Sequence, residues 1–463
     1  MKNKINNKVL LFLAVLLALG SCKKSFWTDV NKNPQAPASV PPSLLVPTVQ
    51  ASLGYTQGGD ISRFTSLLTQ QVFGNASQSQ QYYIYQLNPG TFDNLWPDYY
   101  TSVLENNDTL MNLSDAKGYH VYSGISRIMM AYSLQVGVDL WGALPYSTAL
   151  KGNANLHPTY DTDKGLYDTI ANLVTTGITL LNDADPGVLT PGGDDLMYGG
   201  STTKWIKFGH AILARIYFHQ SKGNAAMAAK ALQEVSNSFT SNSDNAQFKF
   251  GTSETSANPW YQFNEQRPGD EKFANSTLAL SMKANGDPRY DIYFDPANDG
   301  KAKQPNPPLG HFGGLNDYYG AINSPVEFIT YDELQFMSAE ATLRNGGSFA
   351  AAQAFLTAAI DSNMNKLGVS TGAAATYKAA HGILPTTSID AAIAKIASEA
   401  YVALYLNPEV WSTWRRTASP ALTPITGGQV PRRLLYPQSE LSYNGANTPT
   451  GVTLFTPTIF WDK

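Results

Sequence analysis

The sequence predicts a mostly α-helical protein: a tetratricopeptide-like helix-turn-helix scaffold that carries long irregular loops. Three observations predict it. Apolar residues recur at steps of three and four in several separate windows, the signature of one-sided helices. Glycines interrupt that pattern between neighbouring windows. Between the windows lie stretches too long for ordinary connections and too aromatic for disorder.

The windows, in chain order, are Tyr122, Ile125, Met129, Tyr132 and Val136; Leu166, Ile170, Leu173, Gly177 and Leu180; and Trp205, Phe208, Ile212 and Ile216. Then come Leu334, Met337 and Ala341, the run Ala351 to Ile360, and Ile389, Ile393, Ile396, Ala400 and Ala403. Asp161 or Thr162 can cap the second window, and Ser201 or Thr202 the third, because a short oxygen-bearing side chain satisfies free N–H groups at a helix start. Gly118, Gly223 and Gly346-Gly347 separate adjacent windows, and the last pair marks the clearest helical hairpin. No strict repeat consensus accompanies these hairpins, so they are degenerate copies of the unit. The irregular stretches are 240–270, 295–325 and 418–463.

The N-terminus reads differently. Lys2, Lys4 and Lys8 precede an unbroken apolar run, Val9 to Leu19. That run is too short to cross a bilayer, which takes roughly 20 apolar residues, and the layout is that of a secretory signal. Leu19-Gly20-Ser21-Cys22 follows at once and resembles a bacterial lipobox. The expected organisation is a lipoprotein signal peptide over 1–21, an acylated Cys22 with a Pro/Asn-rich extended tether over 22–47, and a single domain over 48–463. Lys23, rather than Asp, follows the cysteine, which fits onward passage to the outer membrane. Acyl chains anchor because each buried methylene adds about 0.8 kcal/mol.

Cys22 is the only cysteine, so the mature chain can form no disulfide and no thiolate metal site. Packing alone must hold it together, and a chain of this length can bury about 75% of its unfolded surface. The net charge of −4 and the low charged fraction argue against nucleic acid, which binds a basic face. Aromatics are plentiful, with 25 Tyr, 20 Phe and 8 Trp.

No catalytic spacing is present, and the chain reads as a non-enzyme. The histidines are scattered; His210 and His219 share a helical window but stand too far apart for a metal pair, and no HExxH occurs. There is no G-x-S-x-G elbow. Asp295, Asp299 and Gly300 do not continue as a calcium loop, since Ala297 and Asn306 occupy ligand positions. Asp194-Asp195 reads as a solvated turn. No metal and no cofactor is expected. A hydrolase would show two facing carboxylates in an aromatic cleft.

Seven motifs then carry a family resemblance. Asp139-Leu140-Trp141-Gly142-Ala143-Leu144-Pro145-Tyr146 follows the first window, with Ala143 where the related proteins carry an acidic residue. Pro158 to Asp161 lead into Leu166 to Leu181. Lys204-Trp205-Ile206-Lys207-Phe208 with Arg215, Asp287-Pro288-Arg289, and Thr330-Tyr331-Asp332-Glu333 with Ala339-Glu340-Ala341 come next. Trp411-Ser412-Thr413-Trp414-Arg415-Arg416-Thr417 and Pro431-Arg432-Arg433 with Tyr436-Pro437, Glu440 and Asn444 close the series. In this order, behind a lipobox, they resemble the SusD/RagB family of nutrient-binding outer-membrane lipoproteins. The resemblance implies a SusD-like fold, an outer-membrane position facing the cell exterior, a glycan or other nutrient oligomer as ligand, and a SusC-like TonB-dependent transporter as partner. Trp141, Trp205, Trp411 and Trp414 are expected to pack in the core. Arg215, Arg415 and Arg416 are expected to tie segments together through carboxylates or carbonyls.

A sugar presents apolar faces and a rim of hydroxyls, so its site should combine loop aromatics with amide neighbours. Three stretches qualify. They place Tyr82, Tyr83 and Tyr85, then Trp260 and Tyr261, then Tyr318 and Tyr319 as the candidate ligand-binding residues. The competing reading is a structural or assembly lipoprotein of an outer-membrane complex that binds no ligand. The large share of aromatic, amide-rich loop favours ligand capture.

Overall fold

The computed structural model describes residues 40–183, 188–301 and 314–462. The signal segment, Cys22 and the tether up to residue 39 lie outside the described residues, as does Asn306. Every element below belongs to one compact unit, Pro42–Lys463.

Helices of seven residues or more are labelled in chain order: α1 Pro42–Thr56, α2 Ser62–Leu68, α3 Ser77–Tyr83, α4 Asn106–Lys117, α5 His120–Trp141, α6 Asp163–Asn182, α7 Thr202–His219 and α8 Ala225–Ser236. The second half adds α9 Pro259–Gln266, α10 Thr277–Ala284, α11 Tyr331–Arg344, α12 Phe349–Lys366, α13 Thr371–His381, α14 Ile389–Ala403 and α15 Glu409–Thr417. Strand is scarce. Phe73–Gly74 pairs antiparallel with Glu271–Lys272, and Ala246–Phe248 pairs antiparallel with Val326–Ile329, with an irregularity after Ala246. The fold is therefore mostly α. Among the described residues no helix is long and apolar enough to cross a membrane.

Successive helices pack on one another: α4 on α5, α5 on α6, α6 on α7, α7 on α8 and α11 on α12. The sequence windows fall on α5, α6, α7, α11, α12 and α14. Of the possible caps, Thr162 accepts from the Gly165 N–H and Ser201 from the Lys204 N–H. Asp161 turns away and instead accepts from the Tyr146 and Ser147 N–H groups at 3.0 and 2.7 Å. Gly118 ends α4 at φ +68° and Gly346 follows α11 at φ +78°, a backbone that side chains resist.

Three expectations need correction. The body begins at Pro42, not after Pro47. Pro42 opens α1, where its missing N–H costs nothing. Pro47 lies inside the helix and forfeits one backbone bond, while Leu45, Val46, Val49 and Leu53 are buried along it. Asp194-Asp195 is no solvated turn: Asp195 is 3% exposed and accepts from Gln50 Nε2 at 2.7 Å and from Trp205 Nε1 at 2.7 Å. It also receives the Gly200 N–H at 2.8 Å, so this carboxylate joins α1 to α7 through a loop. Finally, all three aromatic stretches read as loop contain helix: α3, α9 and a single α-helical turn, Asp317–Gly320, capped by Asn316.

The C-terminal stretch is irregular but pinned. The Leu434 N–H bonds the Leu140 carbonyl at 2.8 Å, and Trp141 Nε1 donates to the Leu435 carbonyl at 3.1 Å. Tyr436 Oη donates to the Ala143 carbonyl at 2.8 Å and Trp411 Nε1 to the Pro431 carbonyl at 2.9 Å. Side chains thus satisfy backbone groups that no regular element serves. Trp141, Trp205, Trp411 and Trp414 are all buried, as their helical spacing implied.

Candidate functional site

The open cleft of the body forms where two helices leave the α-helical register. α1 runs on into a π-helical turn, Gln57–Ile61, before α2 resumes. Gly58 and Gly59 permit this. A Cβ on Gly58 would stand 2.3 Å from Val326 Cγ2, and Gly59 sits at φ −90°, ψ −109°, outside the helical basin. The wider turn swings Asp60 away from the core. Opposite, Leu95 and Trp96 are buried, and the chain continues as a second π-helical segment, Asp98–Glu105, which packs on α1. Such segments recur at functional sites because they interrupt regular side-chain spacing.

Between these walls lies a cleft of about 590 Å³. Thr48, Ala51, Ser52 and Tyr55 line it at helical spacing from α1, followed by Thr56, Gly59 and Asp60; Leu95, Asp98 and Ser102 face them. Volumes of roughly 300–1,000 Å³ are typical of small-molecule sites. Enclosed voids deeper in the body are far smaller, about 10 Å³ beside Asp139 and about 30 Å³ behind Gly58. Tyr55 is half-buried, packed edge-on against Phe250 at 5.0 Å, and its hydroxyl donates to the Thr255 carbonyl at 3.4 Å. Asp60 pairs with Arg63 at 2.8 Å, and that guanidinium lies 4.0 Å from the Phe263 ring centre. Partial burial and the like charge of Asp60 push the Asp98 carboxyl above the usual range.

The residues expected to bind ligand lie elsewhere. Tyr82, Tyr83, Tyr85, Trp260, Tyr261 and Tyr319, expected as loop aromatics that contact ligand, are each less than a tenth exposed and pack within the body. Tyr82 packs on Phe64 at 4.5 Å and Tyr83 on Phe73 at 5.0 Å. The Tyr85 hydroxyl accepts from the Ile425 N–H at 3.4 Å. Trp260 Nε1 donates to Ser62 Oγ at 2.9 Å, and Tyr261 Oη to Glu254 Oε1 at 3.3 Å. Tyr319 meets Tyr293 and Tyr405, each edge-on at 5.0 Å. Tyr318 is half-buried and donates to Glu327 Oε1 at 3.2 Å. The physical reason is helix formation. Asn258 caps α9 through the Trp260 and Tyr261 N–H groups, and the short helix turns its aromatics inward. The second stretch still bears on the cleft, because α9 packs behind the Gln57–Ile61 turn and brings Phe263 to Arg63. Tyr55, Asp60 and Asp98 are absent from the candidates. The one local signal for them is Gly58-Gly59-Asp60 interrupting an otherwise helical run.

A second cluster is buried. One donor atom each from Asp139, His219 and Glu409 lies within 4.8 Å of the others, a geometry a metal ion could use. Its surroundings fit an ion pair instead. His219 Nε2 donates to Glu409 Oε1 at 2.8 Å and Nδ1 to Tyr167 Oη at 2.8 Å. Tyr167 Oη donates to Asp139 Oδ1 at 2.6 Å. Burial alone would lower the imidazole, but Glu409 and Asp139 outweigh it and hold His219 up at about 9. A protonated imidazole has no lone pair for a metal. Arg215, 3.6 Å from Glu409, adds further positive charge.

The family model described as "Starch-binding associating with outer membrane", SusD-like, matches residues 34–437. Among solved structures, a SusD/RagB family protein from Bacteroides thetaiotaomicron is 23% identical, with a TM-score of 0.74 over 92% of this chain and 99% of the other. A chitin-binding protein is 22% identical, with a TM-score of 0.75 over 91% of this chain and all of the other. A chitin-binding SusD homolog from Flavobacterium johnsoniae is 20% identical, with a TM-score of 0.70 over 91% and 97%. No curated protein matches. With its family match over most of its length, its helical body and its open polar cleft, the chain belongs to the SusD/RagB family of outer-membrane nutrient-binding proteins, whose members bind rather than catalyse.

Proposed function

We propose that this protein is a surface-exposed lipoprotein, anchored through Cys22, that captures a glycan or oligosaccharide and delivers it to a SusC-like TonB-dependent transporter. The observation that carries the reading is the cleft of about 590 Å³, with one aromatic ring, two carboxylates and four serine and threonine hydroxyls on its walls. Sugars bind where a ring can lie against a C–H face and where polar groups meet hydroxyls. The chitin-binding activity named for two structures of the same fold supports a glycan as the nutrient. The helix pairs joined by Gly118 and Gly346 support a degenerate tetratricopeptide-like scaffold as the frame. Tyr318 is kept as a peripheral candidate, since it alone of the original aromatics is half-buried rather than buried.

The test is calorimetric binding of the soluble form, beginning after Cys22, to a panel of oligosaccharides, beside Tyr55→Ala and Tyr318→Ala. Saturable binding to one glycan class, weakened roughly tenfold or more in Tyr55→Ala, is the expected result; losing an aromatic anchor of about 1.4 kcal/mol has that size. Binding that ignores Tyr55 discards the cleft. No glycan binding, together with stable association with a transporter, supports the assembly reading instead.

A further inference from the structure

The charge on the cleft walls is one-sided. Among the described residues that line it, Asp60 and Asp98 carry charge, and no lysine, arginine or histidine accompanies them. The two aspartates are not equivalent. Asp60 Oδ1 already accepts from Arg63 Nη2 at 2.8 Å, and the Arg63 side chain, 11% exposed, is held behind the wall by Phe263. Among the described residues the Asp98 side chain has neither a hydrogen bond nor an ion pair, although it stands exposed at the start of a π-helical segment whose Ser102 also faces the cleft. The two carboxylates are near enough for Asp60 to disfavour the ionised form of Asp98. A ligand group with positive charge and several donors removes that repulsion, and a carboxylate or sulfate on the ligand adds to it.

We propose that the cleft selects an oligosaccharide bearing a free ammonium, an amino sugar without its N-acyl group, with the ammonium at Asp98. This rests on the cleft being the glycan site. The neighbouring hydroxyls of Thr48, Ser52, Thr56 and Ser102 suit a polyhydroxylated ring, and Tyr55 adds an aromatic side chain to the same lining. A bare divalent cation is a poor match. Calcium takes six to eight oxygens at short range, and these walls supply two carboxylates, one of them already paired with Arg63. Acidic glycans meet two aspartates with no cation on the lining.

The experiment titrates the soluble form, at about pH 6, with glucosamine oligomers, with their N-acetylated counterparts of equal length, with oligogalacturonate and with oligolysine. It uses wild type, Asp98→Asn and Tyr55→Ala. Asp98 is exposed, so Asp98→Asn should fold normally. The amine oligomer is expected to bind roughly fivefold or more tighter than the acetylated one, the size of a partly exposed ion pair of about 1 kcal/mol. In Asp98→Asn that ratio falls below about twofold, and added salt shrinks it in wild type. Oligogalacturonate binds weakest. Equal binding of both neutral and amine forms, unchanged by Asp98→Asn but lost in Tyr55→Ala, overturns the amine preference and leaves the cleft standing. Glycan binding that is indifferent to both variants overturns the cleft itself. Oligolysine binding tighter than every sugar, and sensitive to Asp98, overturns the sugar assignment.

Discussion

His219 is fully buried between Glu409 and Asp139, and its charge is the device that joins α7 to α15 and to the end of α5. Its proton is bound far more tightly in the folded chain than in the unfolded one, about 9 against an ordinary 6.5. The sign follows from linkage. A raised basic group lends stability that is whole below about pH 6.5 and lost as pH rises through about 9. The full difference is on the order of 3 kcal/mol. Urea midpoints measured between about pH 6.5 and 10 should fall steadily in wild type, and His219→Gln should be less stable at pH 7 but flatter with pH. A wild-type profile as flat as that of the variant would show that His219 is neutral in the folded protein. A buried acid adds to the same fall in a lower, overlapping window: burial pushes Glu271 up to about 7, so ionising it costs stability as pH rises from about 4.5 through about 7, and it contributes only to the low end of the measured range, where His219→Gln keeps it. At this scale the sequence showed which arginines tie segments together. Arg215 forks onto Glu333 at 2.8 Å through Nε and Nη2, and Arg416 onto Glu340 at 3.1 and 2.9 Å. It did not show the histidine cluster, because Asp139, His219 and Glu409 converge only through the packing of three helices.

Elements were legible where a long apolar stripe met a glycine stop, as on α5 or across the α11–α12 turn. They were obscure where a helix is short or changes its pitch. α3 and α9 are too brief for a stripe to declare itself, so their tyrosines and tryptophan read as loop aromatics. The Gln57–Ile61 turn breaks the register that periodicity relies on, and the cleft is built on that break. The break depends on Gly58, where an added Cβ would meet Val326 Cγ2 at 2.3 Å. Gly58→Ala should therefore destabilise the protein by about 1–3 kcal/mol, the usual cost of overpacking, and should weaken glycan binding by moving Asp60 and Tyr55. Gly58→Ala with Val326→Ala restores part of both, because the clash is with that side chain and not with backbone. Denaturant midpoints and the same glycan titration read the two effects. If Gly58→Ala alone costs nothing in either, the turn has room that its packing denies, and its glycine is not what shapes the cleft.

At the scale of the whole molecule, one apolar cluster runs from Leu45 on α1 to Trp461 near the C-terminus. The last residues are therefore part of the body despite having no regular structure. Sequence periodicity cannot reveal this, since segments without a period earn their place only through long-range partners. Trp461 is 4% exposed; its Nε1 donates to Asp139 Oδ1 at 3.1 Å, and its ring faces His219 at 4.7 Å and the Arg415 guanidinium at 4.9 Å. Next to it, Asp462 accepts from Arg432 Nε at 2.9 Å. Trp461→Ala removes a large buried ring and leaves Asp139 short of a donor, a loss of about 3–5 kcal/mol. Because its neighbours sit on α5, α7 and α15, the loss should move the main helical unfolding transition, followed by far-ultraviolet circular dichroism in urea, and not a separate local step. Asp462→Asn should cost less, since Arg432 is partly exposed and water can serve it. A main transition that stays in place after Trp461→Ala, with only the tail released to proteolysis, would mean that the helical body folds without its C-terminal stretch, and that the pinned tail is an addition to the scaffold and not one of its walls.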